Sequence, residues 1–553
     1  MKPNVSPLTE ARTAYKPKLP KVLFAKSLTL KKGKPTKSVA DQAEIKKLFP
    51  NTYGQSEVFL APGKGGIQCK KPITVALVLS GGQAPGGHNV VAGLFDGLKK
   101  LNKKNVLLGY KGGPSGLLED KKVEITDKFL AGYRNTGGFD IIGSGRTKLE
   151  TEEQFESVRK NLMAVGASAL VVVGGDDSNT NAAVLGEYFK AKNYPITVVG
   201  CPKTIDGDLK NNEIEVSFGF DTATKVYAEL TGNVQSDCLS AKKYWHFVKL
   251  MGRSASHIAL EVALKCHPNL CLISEEVAAN KWTLAQVTEK VARVVADRAE
   301  RRKNYGVVVI PEGLLEFIPE MKKLIGELND HLAHNKDFEA LESAGAKIEF
   351  VKGHLTGEAR DAFQALPPSI QAQLLADRDP HGNVQVSKID TEKLLIEAVD
   401  ILLKKWKKED KYSGKFSSQG HFFGYEGRCA APSNFDADYC YALGFTASHL
   451  AAAGLTGYLS SVRDLLKPAA QWRAGGVPLT MMMNLERRHG KDKPVIQKAM
   501  VELNGKPYKT FLASRDKWAL EDEYQSPGPI QYWGPSSVAD LVPETLKLEK
   551  GKK

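Results

Sequence analysis

Ile73-Thr74-Val75-Ala76-Leu77-Val78-Leu79-Ser80-Gly81-Gly82-Gln83-Ala84-Pro85-Gly86-Gly87-His88 runs from a nearly unbroken apolar stretch into a cluster of glycines and then into a helical pattern. A strand buried on both faces reads this way, because neither face needs polar side chains. The glycines and Pro85 end it. The unit is strand, glycine-rich turn, helix, and it recurs. Asp140-Ile141-Ile142 precedes a helical stretch from Thr151 to Val165, with Thr151 and Gln154 at capping-box spacing. Ala169 to Val173 is the next predicted strand, followed by Ile196 to Val199, Phe247 to Leu250, Leu270 to Ile273 and Val307 to Ile310. Thr283 and Gln286 repeat the capping-box spacing before a helix predicted over Val287 to Arg301. Apolar strands alternating with helices predict a doubly wound parallel α/β architecture.

Elsewhere the pattern changes. Residues 1 to about 70 mix Pro, Lys and Gly with short apolar patches, which predicts an extended arm with one helix. From about Glu316 to Lys415 charged, helix-forming stretches predict a helical insertion, clearest at Thr391 to Lys408, where Leu394, Leu395, Ala398, Val399 and Leu402 share a side. After Gly475 the chain reads as irregular, and Met481-Met482-Met483 as core filler. A chain of 553 residues has room for roughly two to four domains. Its 25% charged and 42% hydrophobic residues are ordinary for a soluble protein. No run of 18 apolar residues predicts a membrane span, and the first forty residues lack the apolar stretch of a secretory signal, so a cytoplasmic location is expected.

The net charge of +14 is concentrated in lysines of Lys16 to Lys37 and Leu546 to Lys553. Solvated tails are expected there, with neither nucleic acid nor membrane as partner, since no arginine-rich helix or aromatic-interleaved patch accompanies them. The positive balance suits small anionic substrates. Seven cysteines, without a Cys-x-x-Cys pair, read as reduced structural thiols. Cys429 and Cys440 are expected to be buried, and His257 and His421 to be structural imidazoles.

The chemistry concentrates where predicted strands end, because open α/β sheets bind ligands at the carboxyl ends of their strands. Gly81-Gly82 matches neither common phosphate-loop pattern. The pair admits close backbone approach at a helix N-terminus, which suits a phosphate; a plain tight turn would use the same residues. After Val173 comes Gly174-Gly175-Asp176-Asp177. One acid could cap the helix, or Asp176 could hold Mg²⁺, which takes one or two carboxylates together with substrate phosphates. Pro202-Lys203-Thr204-Ile205-Asp206-Gly207-Asp208 ends the following unit. If strand alternation persists, Lys203 and Ile205 point one way and Thr204 and Asp206 the other. Asp206 could take the proton of a hydroxyl acceptor and Lys203 could neutralise charge on transferring oxygens; a salt-bridged loop pair is the bland alternative. Arg146 faces either this site or a surface acid. Phosphoryl transfer is the reading these residues favour.

Taken in order, the motifs resemble the long form of the pyrophosphate-dependent phosphofructokinases. They are Gly-Gly-Gln-Ala-Pro-Gly-Gly-His-Asn from Gly81, Gly-Gly-Asp-Asp-Ser-Asn from Gly174, Pro-Lys-Thr-Ile-Asp-Gly-Asp from Pro202, Met-Gly-Arg from Met251, Pro311-Glu312-Gly313, and Gly-Tyr-Glu-Gly-Arg from Gly424. They span about residues 70 to 460. The resemblance implies two doubly wound, Rossmann-like parallel-sheet domains of the phosphofructokinase fold with a helical insertion. The expected divisions are an arm over 1–70, a donor-side domain over 71–235, a sugar-phosphate domain over 236–470 holding the insertion at about 316–415, and a C-terminal extension over 471–553. It also implies a reversible, Mg²⁺-dependent transfer of phosphoryl from pyrophosphate to fructose 6-phosphate, giving fructose 1,6-bisphosphate and phosphate.

Residue by residue, the resemblance implies that Gly82 contacts pyrophosphate, Asp176 binds Mg²⁺ and Asp206 accepts the proton of the sugar 1-hydroxyl. Thr204, Ile205 and Asp206 would line the sugar phosphate site, with Met251, Gly252, Arg253, Glu312, Tyr425, Glu426, Gly427 and Arg428. Lys243 and Tyr244 would reach the sugar phosphate site of a second copy, which implies a homo-oligomer, at least a dimer. Family members that use ATP have glycine where this chain has Asp177, and usually where it has Lys203. Asp177 would set charge and bulk where the α-phosphate of ATP would lie, and Lys203 would serve the shorter donor and its transition state. An ATP-dependent enzyme shares most of these motifs, and Asp177 with Lys203 is what separates the two. A non-catalytic regulatory subunit would have a degraded site, whereas Asp176, Lys203, Asp206, Arg253 and Arg428 are all present.

Overall fold

Thr74–Leu79 is a strand buried on both faces, and so are most strands that share its Val-, Leu- and Ile-rich character. The structure, a computed structural model, describes residues 12–64, 66–332, 335–376, 384–488, 491–530 and 541–551. In chain order the strands are β1 (Leu28–Pro35), β2 (Ser56–Pro62), β3 (Thr74–Leu79), β4 (Val106–Tyr110), β5 (Lys122–Glu124), β6 (Ala167–Gly174), β7 (Thr197–Pro202), β8 (Trp245–Leu250), β9 (Leu270–Cys271), β10 (Gly306–Pro311), β11 (Ser418–Phe423), β12 (Tyr458–Arg463), β13 (Arg473–Pro478), β14 (Met483–Arg488) and β15 (Lys491–Ile496). Among the described residues no helix is long and apolar enough to cross a membrane.

The described residues divide into two compact units. The first takes in those of Met1–Ala223, Glu426–Ala499 and Ile530–Lys553, and the second those of Thr224–Tyr425 and Met500–Pro529. Where the sequence suggested divisions at residues 235 and 470, the first crossing falls after Ala223 and the chain returns at Glu426.

The first unit is built on a nine-stranded sheet ordered β1-β2-β13-β12-β7-β6-β3-β4-β5. Its centre, from β12 to β4, is parallel, and Leu77 pairs with Val171, which pairs with Val199. The outer strands β1, β2, β13 and β5 run antiparallel to their neighbours. From β3 the chain moves to β4 on one flank, then to β6 on the other. The order therefore reverses between β3 and β6, and the carboxyl ends of that pair form the crevice where such sheets bind ligands. The helix Glu152–Ala164 carries the capping box of Thr151 and Gln154.

Behind the sheet, the helices Gly87–Leu101 and Asn434–Ala452 pack closely. A methyl placed on Gly93 would lie 2.0 Å from the Tyr441 carbonyl oxygen, and one on Gly444 would lie 2.0 Å from that of Val90.

The second unit holds a parallel sheet ordered β11-β8-β10-β9. Its core joins Trp245, Phe247, Val308 and Ile310 to Leu394 and Val399 of the insertion. The helix Thr391–Lys408 has the bounds expected from sequence. It is tied to the sheet by Lys249, whose buried Nζ donates to Ile389 O at 2.8 Å and pairs with Glu392 at 3.0 Å. The helix Leu284–Glu300 starts at the second capping box.

Several expectations need correction. The arm contributes β1, β2 and the helix Gln42–Leu48 to the first unit. Asp140-Ile141-Ile142 forms a turn, because Gly143 N–H bonds back to Phe139 O at 2.7 Å. The stretch after Gly475 contains a hairpin of β14 and β15 and the helix Lys506–Leu520. Cys440 is buried, but Cys429 is exposed, its Sγ 2.6 Å from Gln83 Oε1. His257 is buried, and His421 shares a 2.9 Å hydrogen bond with His246.

The glycine contacts make a paired prediction. Gly93→Ala must push two helices apart and should destabilise by about 1–3 kcal/mol. Gly326→Ala, within Pro319–Leu332 and with nothing near its added methyl, should stabilise by about 0.5–1 kcal/mol. Denaturant melts followed for each unit would show the opposite signs; equal shifts would refute the packing argument.

Candidate active site

Three turns meet at the reversal point of the first sheet, and backbone bonds stitch them together. Ser80 N–H donates to Val173 O at 2.8 Å, Gly81 N–H to Gly145 O at 2.8 Å, and Lys203 N–H to Gly174 O at 2.9 Å. Ser178 Oγ donates to Ser80 Oγ at 2.8 Å, joining the helix Asp176–Ala191 to the turn after β3. Gly81 has φ +83°, and a methyl on it would lie 3.3 Å from Lys203 Nζ. One on Gly82 would lie 3.0 Å from Arg428 Nη1 and 3.6 Å from Arg146 Nη2. An ammonium and two guanidiniums thus surround a turn that has no side chains of its own. Among the described residues Arg146 makes no ion pair, so the surface salt bridge considered for it is not formed.

Lys203 is buried. Burial first, then Arg428 and Arg146, pull its pKa down to about 8 against the opposing attraction of Asp206 and Asp176. The strand ends at Pro202, yet burial still alternates: Lys203 and Ile205 are buried, Thr204 and Asp206 half-buried. The loop is held by Ser217 Oγ donating to Thr204 O at 3.0 Å and by Asp206 N–H donating to Thr204 Oγ1 at 3.0 Å. Asp208 ends it in buried surroundings, and its carboxyl is pushed up to about 7 by burial and by repulsion from Asp206 and Asp176.

The two acids after β6 part company. Gly175 is the N-cap residue, so neither aspartate occupies the capping position. Asp176 Oδ2 is buried without a hydrogen bond and lies 3.5 Å from Lys498 Nζ. Asp177 is half-exposed, 4.0 Å from Lys148. Sequence reading gave no role to Lys148, Lys498 or Asp208. Lys498 follows β15, more than 300 positions from Asp176, and no local pattern announces such an approach.

In the second unit, Gly252 N–H donates to the buried carboxylate of Glu312 at 2.9 Å. Glu312 therefore holds the Met251-Gly252-Arg253 loop. Arg253 is half-exposed with Glu316 at 4.0 Å, and Tyr425 is exposed. Glu426, Gly427 and Arg428 belong to the first unit; Glu426 is exposed and Gly427 buried. Lys243 Nζ lies over the Tyr244 ring at 4.9 Å. This pair precedes β8 and Met251 follows it. A strand of six residues, about 20 Å long, separates them.

The phosphofructokinase family model matches residues 74–353. Over almost its whole length the chain is similar to the pyrophosphate–fructose 6-phosphate 1-phosphotransferase of Porphyromonas gingivalis, at 54% identity with 99% of each chain covered. It is also similar to the protein of the same name from Entamoeba histolytica, at 51% identity over 99% of this chain and 100% of that one. In fold it is similar to a crystal structure of a pyrophosphate-dependent phosphofructokinase from Nitrosospira multiformis, with TM-score 0.54 and 18% identity over 87% of this chain and 96% of that chain.

The buried lysine makes a pH prediction. Lys203 is charged below about pH 8 and neutral above it. Sulfate affinity at this turn, measured by calorimetry, should fall several-fold between about pH 7 and pH 9 as that charge is lost. Lys203→Arg should flatten the step, since a guanidinium keeps its charge. A profile that is the same in both proteins would assign the titration to another group.

Proposed function

The chain belongs to the phosphofructokinase family, and we propose that its first unit carries the pyrophosphate half of a reversible transfer. The enzyme moves a phosphoryl group from pyrophosphate to the 1-hydroxyl of fructose 6-phosphate, giving fructose 1,6-bisphosphate and phosphate. The observation that carries the donor assignment is the convergence of Lys203, Arg428 and Arg146 on the bare Gly81-Gly82 turn. Backbone and cations there can reach several oxygens of one small anion. Guanidiniums suit this because their planar forks match phosphate oxygens.

Charge that spreads over the transferring oxygens is what such a site must stabilise. Lys203 lies next to Arg428 and Asp206, so it can bind the donor and follow the charge as it moves. Asp206 accepts the proton of the 1-hydroxyl. Thr204 and Ile205 shape the loop that holds it. On the acceptor side, Met251, Gly252, Arg253 and Tyr425 bind the sugar phosphate, with Glu312 fixing the loop. Asp177 stands in the first turn of the helix that follows β6, where it would exclude a longer donor, so that pyrophosphate is chosen over ATP.

Mg²⁺ fits the carboxylates present. Asp176 Oδ2 is a buried oxygen with no hydrogen bond, which suits a hard cation with oxygen ligands. Among the described residues no group of three or more His, Cys, Asp or Glu side chains could hold a metal alone. That agrees with an ion that takes most ligands from water and substrate phosphates. When bound, Mg²⁺ neutralises charge on the diphosphate oxygens.

Lys243 and Tyr244 stand a strand's length from Met251. One sugar phosphate cannot span that distance, which supports their service to a second copy in a homo-oligomer.

Two measurements test the assignment. Wild type should turn over faster with pyrophosphate than with ATP, and Asp177→Gly/Lys203→Gly should weaken that preference; faster turnover of wild type with ATP would sink it. Asp206→Asn should lower kcat on the order of 10²- to 10⁴-fold with little change in KM for fructose 6-phosphate. A loss confined to KM would remove Asp206 from proton transfer.

A further inference from the structure

Lys498 reaches the carboxylates of the first unit from the far end of the chain, and its backbone is fixed on both sides. Ile496 N–H donates to Thr180 Oγ1 at 3.1 Å, one turn along the helix that begins with Asp176. Gln497 N–H donates to Met482 O at 2.8 Å, and Ala499 N–H to Asp208 O at 2.7 Å. Lys498 is thus strung between the helix bearing Asp176 and the loop ending in Asp208. Its Nζ lies 3.5 Å from Asp176 Oδ2, with both side chains mostly buried. An ordinary surface lysine has no such anchoring, and its pairing would contribute little.

An ammonium at this place has a consequence for the cation. A divalent ion arriving alone must displace Lys498 to reach Asp176 Oδ2, and among the described residues no group of three or more acid, imidazole or thiol side chains completes its coordination. Arriving with pyrophosphate, it brings diphosphate oxygens as further ligands, and the displaced ammonium finds phosphate oxygens as partners. We propose that Lys498 is a positioning residue that withholds Asp176 from the free cation, so that the cation and pyrophosphate bind together. This rests on the reading of Asp176 as the metal ligand given above. Because linkage is reciprocal, the factor by which the diphosphate tightens the metal is the factor by which the metal tightens the diphosphate.

The test uses Mn²⁺ as the probe, with binding to the full-length protein read by electron paramagnetic resonance, without and with the non-transferable analogue imidodiphosphate. Wild type should bind Mn²⁺ weakly alone, with enhancement by the analogue on the order of 5- to 150-fold. Lys498→Met should bind free Mn²⁺ on the order of tenfold more tightly, with the enhancement falling towards unity, as loss of a neighbouring positive charge requires. Lys498→Arg, which keeps the charge, should follow wild type and serves as the second variant should the first melt early. Unchanged free-ion affinity and enhancement in Lys498→Met, with binding lost in Asp176→Asn, would overturn the role of Lys498 alone. Unchanged Mn²⁺ binding in Asp176→Asn would overturn the ligand assignment and the proposal with it.

Discussion

The absence of side chains at residues 81 and 82 is the condition on which the rest of the site depends. A single methyl at Gly82 would press on Arg428, and one at Gly81 would approach Lys203. Without them, three cationic side chains share one turn. Like charges so close repel one another, and burial adds a cost by removing water. Lys203 records both effects in its depressed pKa. Asp176, Asp206 and Asp208 lie near one another, and Asp208 records repulsion of the opposite sign. Each cluster partly relieves the other. On the proposed function a diphosphate would offer the cations what they lack, and a metal bound with it would offer the same to the carboxylates. Such preorganised charge is the usual source of stabilisation for transferring phosphoryl groups.

That arrangement asks a specific thing of the fold. Lys203, the glycine pair and Asp176 follow three adjacent parallel strands, β7, β3 and β6. Parallel strands deliver their carboxyl ends to one edge, and the reversal of strand order between β3 and β6 opens a crevice there. The backbone bonds among the turns then fix their spacing. The hairpin of β14 and β15 serves the same edge differently, because it ends where Thr180 and Asp208 can hold Lys498 between them.

The central strands were legible in the sequence because they are buried on both faces and so carry apolar residues without interruption. Both capping boxes were legible because they depend on residues three apart. The outer strands were not. β1 holds Lys31, Lys32 and Lys34 exposed, so composition alone made it an arm. β13 holds Gly475 and Gly476, and a methyl on Gly475 would strike the Val58 carbonyl oxygen. Tertiary approach overrode the strand propensity of that stretch. Asp140-Ile141-Ile142 failed for the converse reason, since buried isoleucines do not distinguish a strand from a turn folded into the core. At the site, motif residues could be named from sequence, but Arg146 was ambiguous and Lys498 unseen. Contacts between residues hundreds of positions apart leave no periodic trace.

Asp176 and Asp177 are adjacent in sequence but occupy different surroundings. Successive residues in a helix point about 100° apart, so two neighbouring carboxylates cannot readily serve one ion. Here they diverge: Asp176 turns inward with a buried oxygen beside Lys498, while Asp177 stays half-exposed beside Lys148. The first environment removes water and leaves an oxygen without a hydrogen bond, which would suit a metal. The second leaves a carboxylate half-exposed in the first turn of the helix, which on the proposed reading would exclude a longer polyphosphate. The adjacency that looked redundant in the sequence is therefore a consequence of helical geometry, which assigns each carboxylate a different neighbour of opposite charge.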